Sequence, residues 1–208
     1  MTVNFDSVAA SYRQLETIVF GDQLQQARVA FLGKIDTPHR VLVVGEGNGR
    51  FLGEFVRHYP EASVDCVEGS ARMIALARRA VGSTSVRFIE ADVGAVALVK
   101  NSYDLIVTHF VLDCFSEETL PPLIGRLADA AATDAVWLIA DFCYPAGGWR
   151  RWWARFLIGF MYLFFRRVAG IEARQLVDYH PALRAQGFEC ADQMMSPNEM
   201  IRSELWRR

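Results

Sequence analysis

Arg40-Val-Leu-Val-Val-Gly45-Glu-Gly-Asn-Gly49-Arg50 is the stretch that decides the fold. Its short, uninterrupted β-branched and apolar run reads as a buried strand, and three alternating glycines carry the chain out of it. A helix follows from about Gly49 to Tyr59, where Pro60 ends it. Where a strand end meets a helix N-terminus, backbone amides converge on a ligand, and a Cβ would obstruct both the turn and the approach.

Outward from this unit, strands are predicted at Ser63–Glu68, Val86–Glu90, Tyr103–Thr108 and Ala135–Asp141. Ser70 is a suitable N-cap for a helix over Ala71–Val81, with Arg78 and Arg79 in its last turn and Gly82 as its stop. Another helix ends near Ala131, with Pro121 and Pro122 in its first turn. Past Pro145-Ala-Gly-Gly148 comes a long aromatic helix, Trp149 to about Val168, then a short helix near Pro181–Gln186. Strands near Phe188–Met194 and Met200–Trp206, joined by Ser196-Pro-Asn, close the chain. Strands alternating with helices predict an α/β fold: a Rossmann-like doubly wound sheet, mostly parallel with an antiparallel C-terminal hairpin strand, and helices on both faces.

The 208 residues, 52% of them hydrophobic, suffice for one core and are read as a single domain. Within it, 1–35 form a helical cap, with Ser7, Ala10, Leu15, Ile18, Leu24 and Phe31 toward the core, and 36–141 a cofactor-binding core. Residues 142–186 form a helical insertion on the acceptor side and 187–208 a strand pair. With 22 basic against 24 acidic residues the net charge is −2, which offers no global field for nucleic acid. Cys66, Cys114, Cys143 and Cys190 form no Cys-x-x-Cys pair, so neither a metal site nor a disulfide framework is expected. The first residues lack a basic and apolar leader, and the longest uncharged apolar run, Phe156–Phe165, is half of what a membrane span needs. A cytoplasmic protein is the expectation.

Glu68 ends the second strand 21 residues after Gly47, where a carboxylate accepts the hydroxyl hydrogens of a ribose. The dinucleotide fingerprint requires a glycine at 50, where Arg50 stands; the third glycine falls at 49 instead. Glu46 inside the loop disfavours a pyrophosphate and suits a zwitterionic amino-acid tail, which favours S-adenosylmethionine over NAD.

On these residues the chain resembles the class I S-adenosylmethionine-dependent methyltransferases, in particular their small-molecule group. Val41–Arg50 looks like the first motif of that family and Val67-Glu68-Gly69-Ser70 like its ribose-binding end. Glu90-Ala-Asp92-Val93 resembles the adenine-binding segment, and Tyr103–Asp113 the segment beside the methyl donor. The resemblance implies that Gly45, Glu46, Gly47, Asn48, Gly49, Glu68, Gly69, Ser70, Asp92, Val93 and Thr108 hold S-adenosylmethionine, releasing S-adenosylhomocysteine, with Tyr12 reaching in from the cap. It departs from the family at Val43, where an acid often stands; Glu46 or backbone carbonyls would then meet the methionine amino group.

Methyl transfer from a sulfonium is an in-line displacement that needs alignment in a dry site, and a base only when the acceptor must lose a proton. His109, Asp113 and Asp141 are the candidate bases, with His180 and Tyr12 in covering segments; an unperturbed histidine near 6.5 suits neutral pH best. The expected acceptor is a small apolar or aromatic molecule. Helical spacing puts Arg151, Arg155, Tyr162 and Arg166 on one polar stripe, with Phe160 and Phe164 inward; the helix is either a core helix with a thin solvated face or, with the N-terminal segment, the wall of an acceptor pocket. So wide an apolar face also admits a homodimer partner or peripheral contact with an anionic membrane. A binding protein that kept this fold without the chemistry is the competing reading; an NAD-dependent oxidoreductase is the other.

Overall fold

The structure, a computed structural model, describes residues 21–82, 85–168 and 170–208. Helix α1 (Gln23–Val29) precedes β1 (Arg40–Val44), α2 (Arg50–His58), β2 (Ser63–Glu68), α3 (Ala71–Val81), β3 (Val86–Glu90) and β4 (Tyr103–His109). Then come α4 (Leu120–Ala130), β5 (Ala131–Phe142), α5 (Gly148–Val168), α6 (His180–Ala185), β6 (Glu189–Met195) and β7 (Ile201–Arg207). The seven strands lie in the order β3-β2-β1-β4-β5-β7-β6, and β7 runs antiparallel to both its neighbours. The predicted mixed sheet is observed, with the hairpin's second strand inserted beside β5. β5 begins four residues earlier than expected, at Ala131, which pairs with Tyr103 across an irregularity between Tyr103 and Leu105.

Strand periodicity builds the two layers. Leu42, Val44, Ile106, Trp137 and Ile139 face one side, packed by α4 and by Leu183 of α6. Val41, Val43, Leu105, Val107 and Leu138 face the other, against Phe51, Leu52 and Phe55 of α2. The Ser70 hydroxyl accepts the Met73 amide at 3.1 Å, the cap expected for α3, and Gly82 closes that helix at φ 58°. Leu24 and Phe31 are buried as expected; Ser7, Ala10, Leu15 and Ile18 lie outside the described residues.

A third cluster sits over the end of the sheet, where Ala154, Ile158 and Tyr162 of α5 meet Leu24, Ile171, Met200 and Ile201. This corrects the orientation read from spacing. Tyr162 is buried rather than on a polar stripe, and Phe160 is 61% exposed rather than inward. Ala154, Ile158 and Tyr162 form the inward face, and Trp149, Trp152, Trp153, Phe156 and Phe160 are left outside. Among the described residues no helix is long and apolar enough to cross a membrane.

Candidate active site

The chain runs from β1 outward to β3 and returns to β4 on the other side of β1, so a crevice opens above the carboxyl ends of β1 and β4. The glycine turn enters it with Gly45, Gly47 and Gly49 at φ 64°, 70° and 86°. Their tasks differ. A Cβ on Gly45 would meet Val111 Cγ2 at 2.5 Å, and one on Gly49 would meet the Ala77 backbone of α3 at 2.6 Å. At Gly47 it would meet nothing within 4 Å, which leaves that glycine facing open space.

Glu68 closes the turn from β2. Its Oε2 accepts the Gly47 amide at 3.0 Å and its Oε1 the Ser70 amide at 2.9 Å. The carboxylate lines the cleft. On the next strand, Asp92 Oδ1 accepts the Gly94 amide at 2.8 Å and so fixes the loop that carries Val93.

The cleft contains a cavity of about 120 Å³ that opens to solvent. It is lined by Gly45, Glu46, Gly47 and Asn48 from the turn, by Glu68 and Gly69, by Asp92 and Val93, and by His109. The other sequence candidates stand behind this surface. Gly49 and Ser70 begin α2 and α3, and Thr108 Oγ1 accepts Trp137 Nε1–H at 2.9 Å inside the sheet. Asp113, half-buried, and Asp141, buried, lie next to the wall rather than in it, and Tyr12 lies outside the described residues.

Glu46 does more for the fold than the sequence suggested. Its Oε1 accepts the Phe51 and Leu52 amides at 3.0 and 3.1 Å, satisfying two orphan donors at the start of α2. Burial pushes its carboxyl up to about 7.

His109 lines the cleft as a poor base. It is buried edge-on against Phe51, ring centroids 4.7 Å apart, and its Nδ1 has no hydrogen-bond partner. Burial first, then the charge of Arg28, pushes it down to about 3, so the ring is neutral and weakly basic at pH 7. Asp113 and Asp141 go the other way. Burial raises both; the charge of Asp113 pushes Asp141 up further, while hydrogen bonds, among them those with Cys114 and Asp141, hold Asp113 down to about 6. Cys114, which lines the cleft, places Sγ 3.5 Å from Asp113 Oδ1. His180 is engaged elsewhere, with Nε2 2.8 Å from Glu204 Oε1 and Nδ1 on Asp178.

Sequence reading missed Arg28, Met73, Phe110, Cys114 and Phe115 in the lining. Arg28, on α1, rests over the Phe110 ring at 5.0 Å. Phe110 itself sits at φ 57°, left-handed for a bulky residue, with its amide on the Ala140 carbonyl at 2.7 Å. Such strain concentrates at functional edges, and no local sequence pattern announces it.

A mostly parallel sheet with this strand order, a glycine turn opening on a cleft and a strand-end carboxylate beside it give the Rossmann-like fold seen in solved S-adenosylmethionine-dependent methyltransferases. Residues 41–134 match the family described as a methyltransferase domain. The chain is 32% identical over 88 residues to a malonyl-[acyl-carrier protein] O-methyltransferase of Halalkalibacterium halodurans, covering 40% of this chain and 32% of that protein. It is 25% identical over 113 residues to a demethylmenaquinone methyltransferase of Chlamydia pneumoniae, covering 54% and 49%. The chain thus spans about a third to a half of the length of these curated relatives. Among solved structures, the 1,6-didemethyltoxoflavin-N1-methyltransferase of Burkholderia thailandensis, bound to 1,6-didemethyltoxoflavin and S-adenosylhomocysteine, superposes with a TM-score of 0.69. Its identity is 17%, over 98% of this chain and 85% of that one, a likeness of fold.

Proposed function

We propose that the cleft binds S-adenosylmethionine and that the protein methylates an oxygen, nitrogen or carbon nucleophile of a small, apolar or aromatic acceptor in the cytoplasm. The observation that carries this is the Glu68 carboxylate, clamped by the Gly47 and Ser70 amides beside the open face of Gly47. When bound, the sulfonium supplies an electrophilic methyl carbon and leaves as S-adenosylhomocysteine.

The chain's residues supply the rest. Glu68 accepts the ribose hydroxyls, Asp92 and Val93 border the adenine end, and Gly45, Gly47, Asn48 and Gly69 let backbone approach the ligand. Glu46 and Arg28 meet the amino-acid tail, while Ser70 and Thr108 act from behind by fixing α3 and the end of β4. His109, Phe110, Cys114 and Phe115 exclude water beside the donor. An acceptor that must lose a proton has the Asp113–Asp141 pair, behind Cys114, as its candidate base.

Calorimetric titration with S-adenosylhomocysteine tests the reading. Saturable binding supports it, and absence of heat at millimolar ligand removes it. Turnover in an acceptor screen then separates catalysis from the competing reading, which predicts cofactor binding alone.

A further inference from the structure

Helix α5 has two apolar faces, and the function above uses only one. Ala154, Ile158 and Tyr162 recur every four residues and are buried. The Tyr162 hydroxyl donates to the Asp113 carbonyl at 3.0 Å, directly behind the cleft wall at Cys114. On the opposite side Trp149, Trp152, Trp153, Phe156, Phe160 and Leu163 form one stripe at steps of three and four. Trp149 and Trp152 are each 76% exposed, Phe156 and Phe160 each 61%. Apolar surface this contiguous marks an interaction site.

The charges around the stripe choose its partner. Arg150, Arg151, Arg155, Arg166 and Arg167 are all exposed, and the 21 residues of α5 include no acid. Arg150 reaches Glu199 only at 3.7 Å, and Arg155 lies over the Tyr144 ring. Pairing this helix with its own copy would bring arginines together with no carboxylate on the helix to meet them. An anionic bilayer supplies the complementary charge along the whole stripe, tryptophan favours the headgroup region, and arginine stems let the rings settle below their own charges.

We propose that α5 docks the protein on an anionic membrane surface, and, resting on the methyl-transfer reading, that the cleft behind it takes an acceptor dissolved in the lipid. The helix lies in the interface rather than across it, since its arginines preclude a span. Its inner face touches the cleft wall and its outer face the lipid, so an apolar acceptor leaving the bilayer meets the site without crossing bulk water.

Co-sedimentation of the full chain, without cofactor, with vesicles of phosphatidylglycerol and phosphatidylcholine tests the docking. Binding is expected on these vesicles, weaker on phosphatidylcholine alone, and reduced by salt. Each basic residue near an anionic surface is worth roughly fivefold, so Arg166→Glu with Arg167→Glu lowers partitioning by at least about 25-fold. Trp152→Ser with Phe156→Ser, both exposed and outside the cleft, lowers it more than about tenfold. Absence of binding to either vesicle overturns the proposal, as does a soluble dimer that the Trp152→Ser, Phe156→Ser variant dissociates. Affinity for S-adenosylhomocysteine, measured in solution on each variant, stays unchanged; its absence in the wild type would remove the methyl-transfer reading and leave the docking standing. With membranes and methyl-labelled S-adenosylmethionine, label in the organic-soluble fraction supports the acceptor class, and label in the aqueous fraction alone overturns it.

Discussion

Glu68 shows how one side chain joins fold to ligand. Its two oxygens already hold the Gly47 and Ser70 amides, so truncation to alanine would loosen the turn as well as remove the ribose acceptor. Glu68→Gln keeps the shape and one acceptor oxygen while removing the charge, but its NH2 must face either the Gly47 or the Ser70 amide, so the thermal midpoint is measured beside the affinity. Charge-assisted hydrogen bonds are worth about 1.5–3 kcal/mol, so this variant weakens S-adenosylhomocysteine by roughly 10- to 150-fold. Calorimetry measures it, and wild-type affinity would dissociate Glu68 from the ligand. His109 carries the opposite lesson. Its residue type suggests a base near neutral pH, but burial and Arg28 leave it neutral, so the pH–rate profile has no inflection from it near 6.5.

At the scale of elements, glycines divide by what their missing Cβ would meet. Gly49 holds φ 86° with the Ala77 backbone 2.6 Å from a Cβ, so Gly49→Ala forces α2 away from α3 and strains the turn. Overpacking and left-handed strain together cost about 2 to 4 kcal/mol, read from the denaturant midpoint. Gly159, inside α5 with open space around it, is the contrast. There alanine restricts the unfolded chain without a clash and raises stability by about 0.5–1 kcal/mol. A loss at Gly159 or neutrality at Gly49 would contradict the packing described. The faces of α5 belong to this scale too. Its periodicity was readable, but which face turned inward depended on the cluster that Ala154, Ile158 and Tyr162 join with Leu24, Ile171, Met200 and Ile201.

For the whole molecule, buried ionisable groups set a pH dependence. His180 is raised, first by its hydrogen bond to Glu204, so its contribution is complete below the unfolded value near 6.5 and lost as pH rises through the folded one. Glu46, raised by burial to about 7, and the raised Asp113 and Asp141 act in the same sense, their stabilisation fading as pH climbs from the usual carboxylate range through neutrality. Glu204 and Asp178 are lowered: burial pushes each up, but hydrogen bonds from His180, and Arg202 beside them, outweigh it. Arg87 does the same for Asp65, gripping both of its oxygens at 2.7 Å. These contributions are present above the unfolded values and lost as pH falls. His109, pushed down to about 3, opposes this below its unfolded value near 6.5, so the thermal midpoint declines between about pH 6.5 and 8; a scanning-fluorimetry series rising over that interval would contradict the assignment.

The sequence by itself determined what repeats over short distances. Alternation in Val41–Val44 fixed both faces of the sheet, the Gly45–Gly49 turn and Glu68 fixed the crevice, and Ser70 and Gly82 fixed the ends of α3. Each is a local rule of backbone sterics, side-chain period or capping, legible without knowing what lies opposite. Tertiary structure decided what depends on neighbours distant in the chain. It brought Arg28 from α1 to the cleft, placed β7 between β5 and β6, set Phe110 at a strained φ, and enclosed His109 and the Asp113–Asp141 pair so that their proton affinities moved in opposite directions. It also chose between the two apolar faces of α5, which hydropathy could not rank. Burial and proton affinity belong to an environment assembled from several elements, and a linear pattern carries neither.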